Sequence, residues 1–439
     1  MKFFTQRDQN FNELLKGSSI SLFLKVSGML LNYAAMLFIT NHYGAEEWGI
    51  YSLCFTVLSI AILLPKFGFD NSLVRIITEL NTFKNKAEIK NVIYKSLLVS
   101  SIISLFVAIM LNQFSDIIVF DILNQESIQP YIKLISYTIL PTVILVIVSA
   151  TFQALKKTVL FMLFQATLTN LLFLLLLLID YFLDSGTTVF KLYFYAVCIV
   201  MVIGIILSIS VFKGTHTNVE LQKTYTIKSI SKISLPMLLS SSFALLMGWS
   251  DIIMLSYFKT TKDIGIYNSS LKLAALAGIT LIAINAIATP KFVEFYAKRD
   301  FDGLKDIVKK STKMIFYATT PILIVLVLFS KKILGLFGEE FEAGYMALIV
   351  LCIASFINAI SGSVGYIMQM TDQQKTYQYV IMISFFINLV LNLFLIPNYS
   401  FNGAAIASSV AMVFWNLCLV VIIKRKLGFW TIYIPFLVK

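Results

Sequence analysis

Apolar stretches of 20 residues or more alternate with short polar breaks from Ser18 almost to the C-terminus. A bilayer core of about 30 Å takes about 20 helical residues to cross, so the pattern predicts transmembrane α-helices. Segments of about ten residues that alternate in polarity, as a membrane β-barrel requires, are not seen. The helices are predicted over residues 18–40, 49–68 and onward, 91–111, 133–154, 159–183, 190–212, 233–257, 270–290, 313–336, 343–365, 376–397 and 403–423, twelve in all.

Short matches recur at a nearly constant offset. Gly49-Ile50-Tyr51 returns as Gly265-Ile266-Tyr267, 216 positions later, while Lys157-Thr158 returns as Lys375-Thr376 and Asn170 as Asn388, both 218 positions later. Each match occupies the same place in the helix order, so the protein reads as two halves of six helices. Six is even, which makes them a parallel repeat, and such repeats pack about an axis along the membrane normal with the substrate site between them. Pro65-Lys66-Phe67 also returns, as Pro290-Lys291-Phe292, but its offset of 225 breaks the register and is treated as coincidence. In register, Pro290 matches Val74, so helix 2 is expected to continue past Pro65 and Gly68 to about Leu80, with Asp70 and Arg75 at its cytoplasmic end.

Composition agrees with the pattern. The sequence has 439 residues, 58% apolar and 13% charged, with mean hydropathy +0.85, against about 25% charged in soluble domains. The polar start and the absence of a small-residue cleavage site predict an N-terminus that stays attached. Cys54, Cys198, Cys352 and Cys418 fall in different apolar segments without C-x-x-C spacing and read as small hydrophobes.

The net charge of +12 follows sidedness. Alternate loops collect 27 Lys and Arg on one side and 6 on the other, which places both termini in the cytoplasm. The predicted organisation is a cytoplasmic segment over 1–17, a six-helix bundle over 18–212, a cytoplasmic linker over 213–232, a second bundle over 233–423 and a basic cytoplasmic tail over 424–439. The basic segments Lys84 to Lys95 and Lys298 to Lys313 are expected to face anionic lipid headgroups. They lack interleaved aromatics and any nucleic-acid-binding module, so no nucleic acid is expected as a partner.

Ionisable groups inside a span cost about 2.5–3.5 kcal/mol at its centre and usually face a cavity or mark function. Lys25 is about 10 Å from the cytoplasmic end of helix 1, where it either snorkels or binds an anion. Asp251 is about 9 Å from the outer end of helix 7, too deep for a short carboxylate to snorkel. It is a candidate for coupling to protons or cations, the alternative being a structural bond to a neighbouring helix. Lys272, near the outer start of helix 8, is either an interface anchor or a partner of Asp251.

Asn32, Gln165, Asn170, Asn285, Asn358, Gln369, Asn388 and Asn392 can bond sugar hydroxyls in a wet cavity or join helix to helix. Tyr33 and Trp249 can stack on sugar rings or serve in packing. Gly403, Ala407 and Ala411 recur every four residues, which implies close packing of helix 12. Phosphate-binding, zincin and serine-hydrolase motifs are missing, and His42 and His216 fall in separate predicted loops, so no enzyme and no cofactor is expected.

Tyr43-Gly44-Ala45-Glu46-Glu47-Trp48-Gly49-Ile50-Tyr51-Ser52-Leu53 resembles the helix 1 to helix 2 passage of polysaccharide and O-antigen flippases. Phe67-Gly68-Phe69-Asp70 to Arg75, Ser234-Leu235-Pro236 to Asp251, and Asp263-Ile264-Gly265-Ile266-Tyr267 resemble the same family, within the multidrug/oligosaccharidyl-lipid/polysaccharide exporter superfamily. The resemblance implies an all-α integral membrane fold with two six-helix bundles, a V-shaped central cavity and alternating access. It also implies export of undecaprenyl-diphosphate-linked oligosaccharide across a bacterial inner membrane for O-antigen, capsule or exopolysaccharide.

On that reading Lys25, Arg75, Lys272, Asn32, Tyr33, Trp249 and Asn285 contact substrate and Asp251 couples an ion. Partners would be the lipid-linked glycan, membrane lipids, and a glycan polymerase with other synthesis proteins. Peptidoglycan-precursor flippases share the fold but commonly have fourteen helices and a more cationic cavity. Drug antiporters usually carry their cavity acid in the first half, where this sequence has Lys25. A non-transporting scaffold for glycan-synthesis enzymes is the reading of a different class.

Overall fold

The computed structural model of the protein describes residues 2–82, 86–212 and 225–433. Lys84, His216, residues 213–224 of the linker and the tail beyond Tyr433 lie outside them. All regular elements among the described residues are helical. The α-helices are α1 (Lys2–Ala61), α2 (Leu63–Lys66), α3 (Phe69–Thr82), α4 (Lys86–Gln113), α5 (Ile132–Ala154), α6 (Thr158–Met162), α7 (Leu168–Leu183) and α8 (Val189–Phe212), with short π and 3-10 turns over Ile117–Leu123, Glu126–Tyr131, Leu163–Thr167 and Glu339–Gly344. After the linker come α9 (Ile227–Phe258), α10 (Thr261–Ala275), α11 (Gly278–Ala297), α12 (Phe301–Leu328), α13 (Ser330–Gly335), α14 (Tyr345–Ser361), α15 (Val364–Met370) and α16 (Gln374–Leu427).

Among the described residues seven helices are long and apolar enough to cross a membrane, or nine if two bent pairs each count as one span. Phe23–Ala61 and Gln374–Leu427 run for 39 and 54 residues. At about 1.5 Å per residue, neither fits a core of about 30 Å as one straight rod. Each is broken by one non-helical residue, Gly44 (φ 84°, ψ −179°) and Ser400 (φ 49°, ψ −134°). The fold is that of a multi-pass α-helical membrane protein.

Helix 2 does not run unbroken to Leu80 as the repeat register implies. α1 stops at Ala61, and Phe67 and Gly68 take left-handed φ of 49° and 71° before α3 begins. Pro65 explains the break, since it has no N–H to donate and its ring crowds the preceding turn. Its own carbonyl is satisfied by Ser100 Oγ from α4, at 2.8 Å. His42, expected in a loop, is instead on α1, with its ring against Phe38 and Tyr181.

The protein divides into two compact units. The first comprises Met1–His42, Cys54–Asp121 and Glu126–Ser242, and the second Tyr43–Leu53, Ile122–Gln125 and Phe243–Lys439. In the first, Asn170 Nδ2 on α7 donates to the Gly28 carbonyl at 3.0 Å and Thr167 Oγ1, in the π turn just before α7, to the Leu24 carbonyl at 3.1 Å, which binds this stretch to α1. Ser72 of α3 meets Ser234 of α9, with hydroxyl oxygens 2.6 Å apart. Tyr225, just before α9, is held from three sides: its N–H donates to Glu88 Oε1 at 2.7 Å, its hydroxyl to Glu79 Oε2 at 3.0 Å, and its carbonyl accepts from Lys95 Nζ at 2.7 Å.

In the second unit the two copies of the Gly-Ile-Tyr repeat pack on one another. A Cβ on Gly49 would lie 1.8 Å from the Thr261 carbonyl oxygen, and one on Gly265 would lie 2.3 Å from that of Ala45. Glu340 closes this crossing by accepting from Ala45 N at 2.7 Å and pairing with Lys262 at 2.7 Å. Gln125 Nε2 secures the end of α9 by donating to the Ser256 carbonyl at 2.8 Å. Thr260 and Asp263 form a capping box at the start of α10, and Asp263 Oδ1 also accepts from Ser400, the break residue of α16, at 3.1 Å. The small face of helix 12 is close-packed as expected: Gly403 has no room for a Cβ, which would be 2.4 Å from the Leu395 carbonyl oxygen.

Candidate functional site

Asp251 is 1% exposed on α9, inside the second unit. Two runs of α16 and one face of α10 supply its partners. Asn388 and Asn392 are four residues apart, so their amides lie one above the other on the same helix face. Their Nδ2 atoms donate to Asp251 Oδ1 at 3.0 and 2.7 Å. Oδ2 accepts from the Tyr267 hydroxyl at 2.5 Å and from Ser408 Oγ. The break at Ser400 turns the second run of α16 back against the first, and Asn388 Nδ2 also reaches Ser408 Oγ at 3.1 Å. Tyr267 stands two residues beyond Gly265, where the bare glycine brings α10 close to the run around Gly49.

All four donors are neutral. An ionised carboxylate offers about four lone-pair sites, and here four donors meet them, so hydrogen bonds rather than a countercharge hold the acid. Ser250 Oγ donates to Asn388 Oδ1 at 2.8 Å, which orients that amide with its NH₂ toward the acid. Asn392 Oδ1 is buried without a partner among the described residues. The cluster thus offers a buried carboxylate that faces two amide NH₂ groups and two hydroxyls, a neutral donor set whose hydroxyls can turn to meet the acid either ionised or protonated.

The other candidates are distributed over both units. Lys25 and Arg75 are exposed in the first, and Lys25 sits on the turn of α1 that Thr167 and Asn170 anchor. Asn32 and Tyr33 are half-buried in the same unit. In the second, Trp249 is half-buried, two residues before the acid, and the Lys272 ammonium lies 4.5 Å from the centre of the Trp48 ring. Asn285 is 1% exposed, with both amide atoms unpartnered among the described residues. Sequence reasoning brings Asp251, Asn388 and Asn392 forward separately. It passes over Ser250, Tyr267 and Ser408, although Tyr267 ends the repeated tripeptide and Ser408 adjoins the small-residue face.

The fold is one found in solved membrane transporters. The structure resembles the lipid II flippase MurJ in an inward closed conformation, with TM-score 0.74 and 15% identity over 93% of this protein and 87% of that one. It also resembles an inward-facing multidrug resistance MATE family transporter of the MOP superfamily, with TM-score 0.73 and 15% identity over 93% and 98%. A probable low-salt glycan biosynthesis flippase of Haloferax volcanii, Agl15, is 22% identical over 405 residues, which are 90% of this protein and 81% of the relative. The probable flippase AglR of the same organism is 29% identical over 172 residues, 37% of this protein and 35% of the relative. The family model described as "Polysaccharide biosynthesis protein" matches residues 14–296, and that described as MatE matches residues 236–394. The protein belongs to the polysaccharide biosynthesis protein family.

Proposed function

We propose that the protein flips a lipid-linked oligosaccharide from the cytoplasmic to the outer face of the cytoplasmic membrane by alternating access. The carrier proposed is undecaprenyl diphosphate and the setting a bacterial inner membrane, where the product serves O-antigen, capsule or exopolysaccharide assembly. Twelve helices and two cytoplasmic termini belong to the same proposal. Free crossing would strip water from diphosphate and sugars, so a hydrated protein path is needed. Lys25 and Arg75 hold the diphosphate while the polyprenyl tail stays in lipid; both are exposed, as such a role needs.

The observation that carries the proposal is the Asp251 cluster, a buried, fully hydrogen-bonded carboxylate inside the second unit of a membrane transporter fold. In this reading it binds a proton or sodium ion during the cycle. Outward movement of two negative charges is already favoured by about 4.6 kcal/mol per 100 mV, twice the single-charge value. The bound ion then serves to reset the carrier.

The test is complementation of a flippase-null strain, followed by translocation of a lipid-linked oligosaccharide in proteoliposomes that contain only this protein. Export in both assays supports a transporter. Rescue in cells without translocation in proteoliposomes would favour the scaffold reading.

A further inference from the structure

The second unit also holds a cavity of about 210 Å³. It shares three helix runs with the acid, one to two turns along them. Met247, in its wall, is one turn before Asp251 on α9, while Ile381 is two turns before Asn388 and Trp415 two turns beyond Ser408 on α16. Tyr366, Tyr377 and Trp415 furnish aromatic walls, and among the described residues no charged side chain lines it. Gly365 leaves space for one of those rings: a Cβ there would be 3.3 Å from Tyr377 Cε2.

Two lining residues each carry a buried polar atom with no partner among the described residues, Oδ1 of Asn416 and Oγ of Ser363. Asn416 is 0% exposed and Ser363 1% exposed. Asn416 Nδ2 is already used, donating to the Met412 carbonyl at 2.9 Å, so Oδ1 remains as a pure acceptor. Ser363 is presented by the break at Gly362 (φ 75°), where a Cβ would strike Thr312 Oγ1 at 2.1 Å. An unpaired buried acceptor costs free energy that a donor-bearing ligand recovers.

We propose that this cavity is a saccharide subsite that takes one pyranose ring of the glycan, with a hydroxyl donated to Asn416 Oδ1, a second bonded to Ser363 Oγ, and the ring's C–H face against Trp415. The inference rests on the glycan reading above. Three features select a single neutral sugar. The volume is below the roughly 300–1,000 Å³ that drug-sized ligands occupy. The described lining has no cation for a phosphate and no anion for a charged amine. Aromatic faces combined with orphan hydrogen-bonding atoms suit a ring that is apolar on its faces and hydroxylated at its rim.

The experiment uses the purified full-length protein in lipid nanodiscs. Intrinsic tryptophan fluorescence is titrated with methyl glycosides of glucose, galactose, rhamnose, N-acetylglucosamine and N-acetylgalactosamine, and with tetraphenylphosphonium as an organic-cation probe. At least one glycoside is expected to saturate the signal. Trp415→Phe should remove the response, and Asn416→Leu should weaken affinity at least tenfold at unchanged Tm. Ser363→Ala, a smaller change, provides a second reading if Asn416→Leu does not fold. Binding by tetraphenylphosphonium alone, no glycoside response, or a response indifferent to Asn416→Leu and Ser363→Ala overturns the subsite. Translocation without glycoside binding would remove the subsite and leave the flippase reading, whereas glycoside binding without translocation would do the reverse.

Discussion

Gly49 and Gly265, 216 positions apart in sequence, face one another so closely that each is blocked by a carbonyl preceding the other, Thr261 for Gly49 and Ala45 for Gly265. The pair is reciprocal, because 45 and 261 are separated by the same 216 positions. A sequence repeat has thereby become a contact between its own copies. Backbone atoms cannot yield as a flexible side chain does. Gly49→Ala is expected to destabilise by about 1–3 kcal/mol, the range for overpacking, and Gly265→Ala by less, following their clearances of 1.8 and 2.3 Å. Thermal unfolding of the detergent-solubilised variants checks the order; an unchanged Tm for Gly49→Ala would refute it.

Asp251→Asn should fold, because the Asn carbonyl can face the Asn388 and Asn392 amides while its NH₂ donates to the rotatable hydroxyls of Tyr267 and Ser408. It removes the charge alone. Transport in proteoliposomes is expected to lose its dependence on pH or sodium, and an unaltered profile would make the acid structural. Asp251→Leu should instead leave four donors unpaired, at about 1–3 kcal/mol each, and lower Tm sharply.

Lys25→Ala removes a charge from an exposed position and should spare the fold. Surface glycan, measured in cells with matched protein levels, is expected to fall at least tenfold. Lys25→Arg keeps the charge and should retain most export. Full export by Lys25→Ala would cancel the diphosphate-binding role.

Glu340 acts twice, as acceptor for Ala45 N and as partner of Lys262. Glu340→Gln keeps the first bond and loses only a partly exposed ion pair, for about 0–1 kcal/mol. Glu340→Ala also leaves the amide without its acceptor and should cost about 1 kcal/mol more. Equal Tm values for the two variants would show that the bond to Ala45 contributes nothing.

Hydropathy is enough to show a helical membrane protein, because about 20 apolar residues in succession leave few other folds. The constant offset is a separate signal, carried by a few matched residues. Asn170 and Asn388, paired by offset, each bond to an earlier helix of their own unit, α1 through the Gly28 carbonyl in one case and α9 through Asp251 in the other. Helix ends are less legible. Nothing in the apolar run past Pro65 shows that Phe67 and Gly68 turn left-handed, and a pattern averaged over a whole span cannot register one residue such as Ser400. Ser408 and Tyr267 escape notice in the sequence because serine and tyrosine are ordinary in membrane helices. Their importance arises only when the break in α16 and the bare Gly265 bring them to the acid.

The grip on Tyr225 has a mechanical consequence. Its backbone N–H, its backbone carbonyl and its phenolic hydroxyl are each tied to a different residue of α3 or α4, so tension in the preceding stretch of polypeptide would be absorbed at this knot before it reached α9. Lengthening that stretch should leave carriage of cargo intact, whereas untying Tyr225 would let the entry of α9 drift.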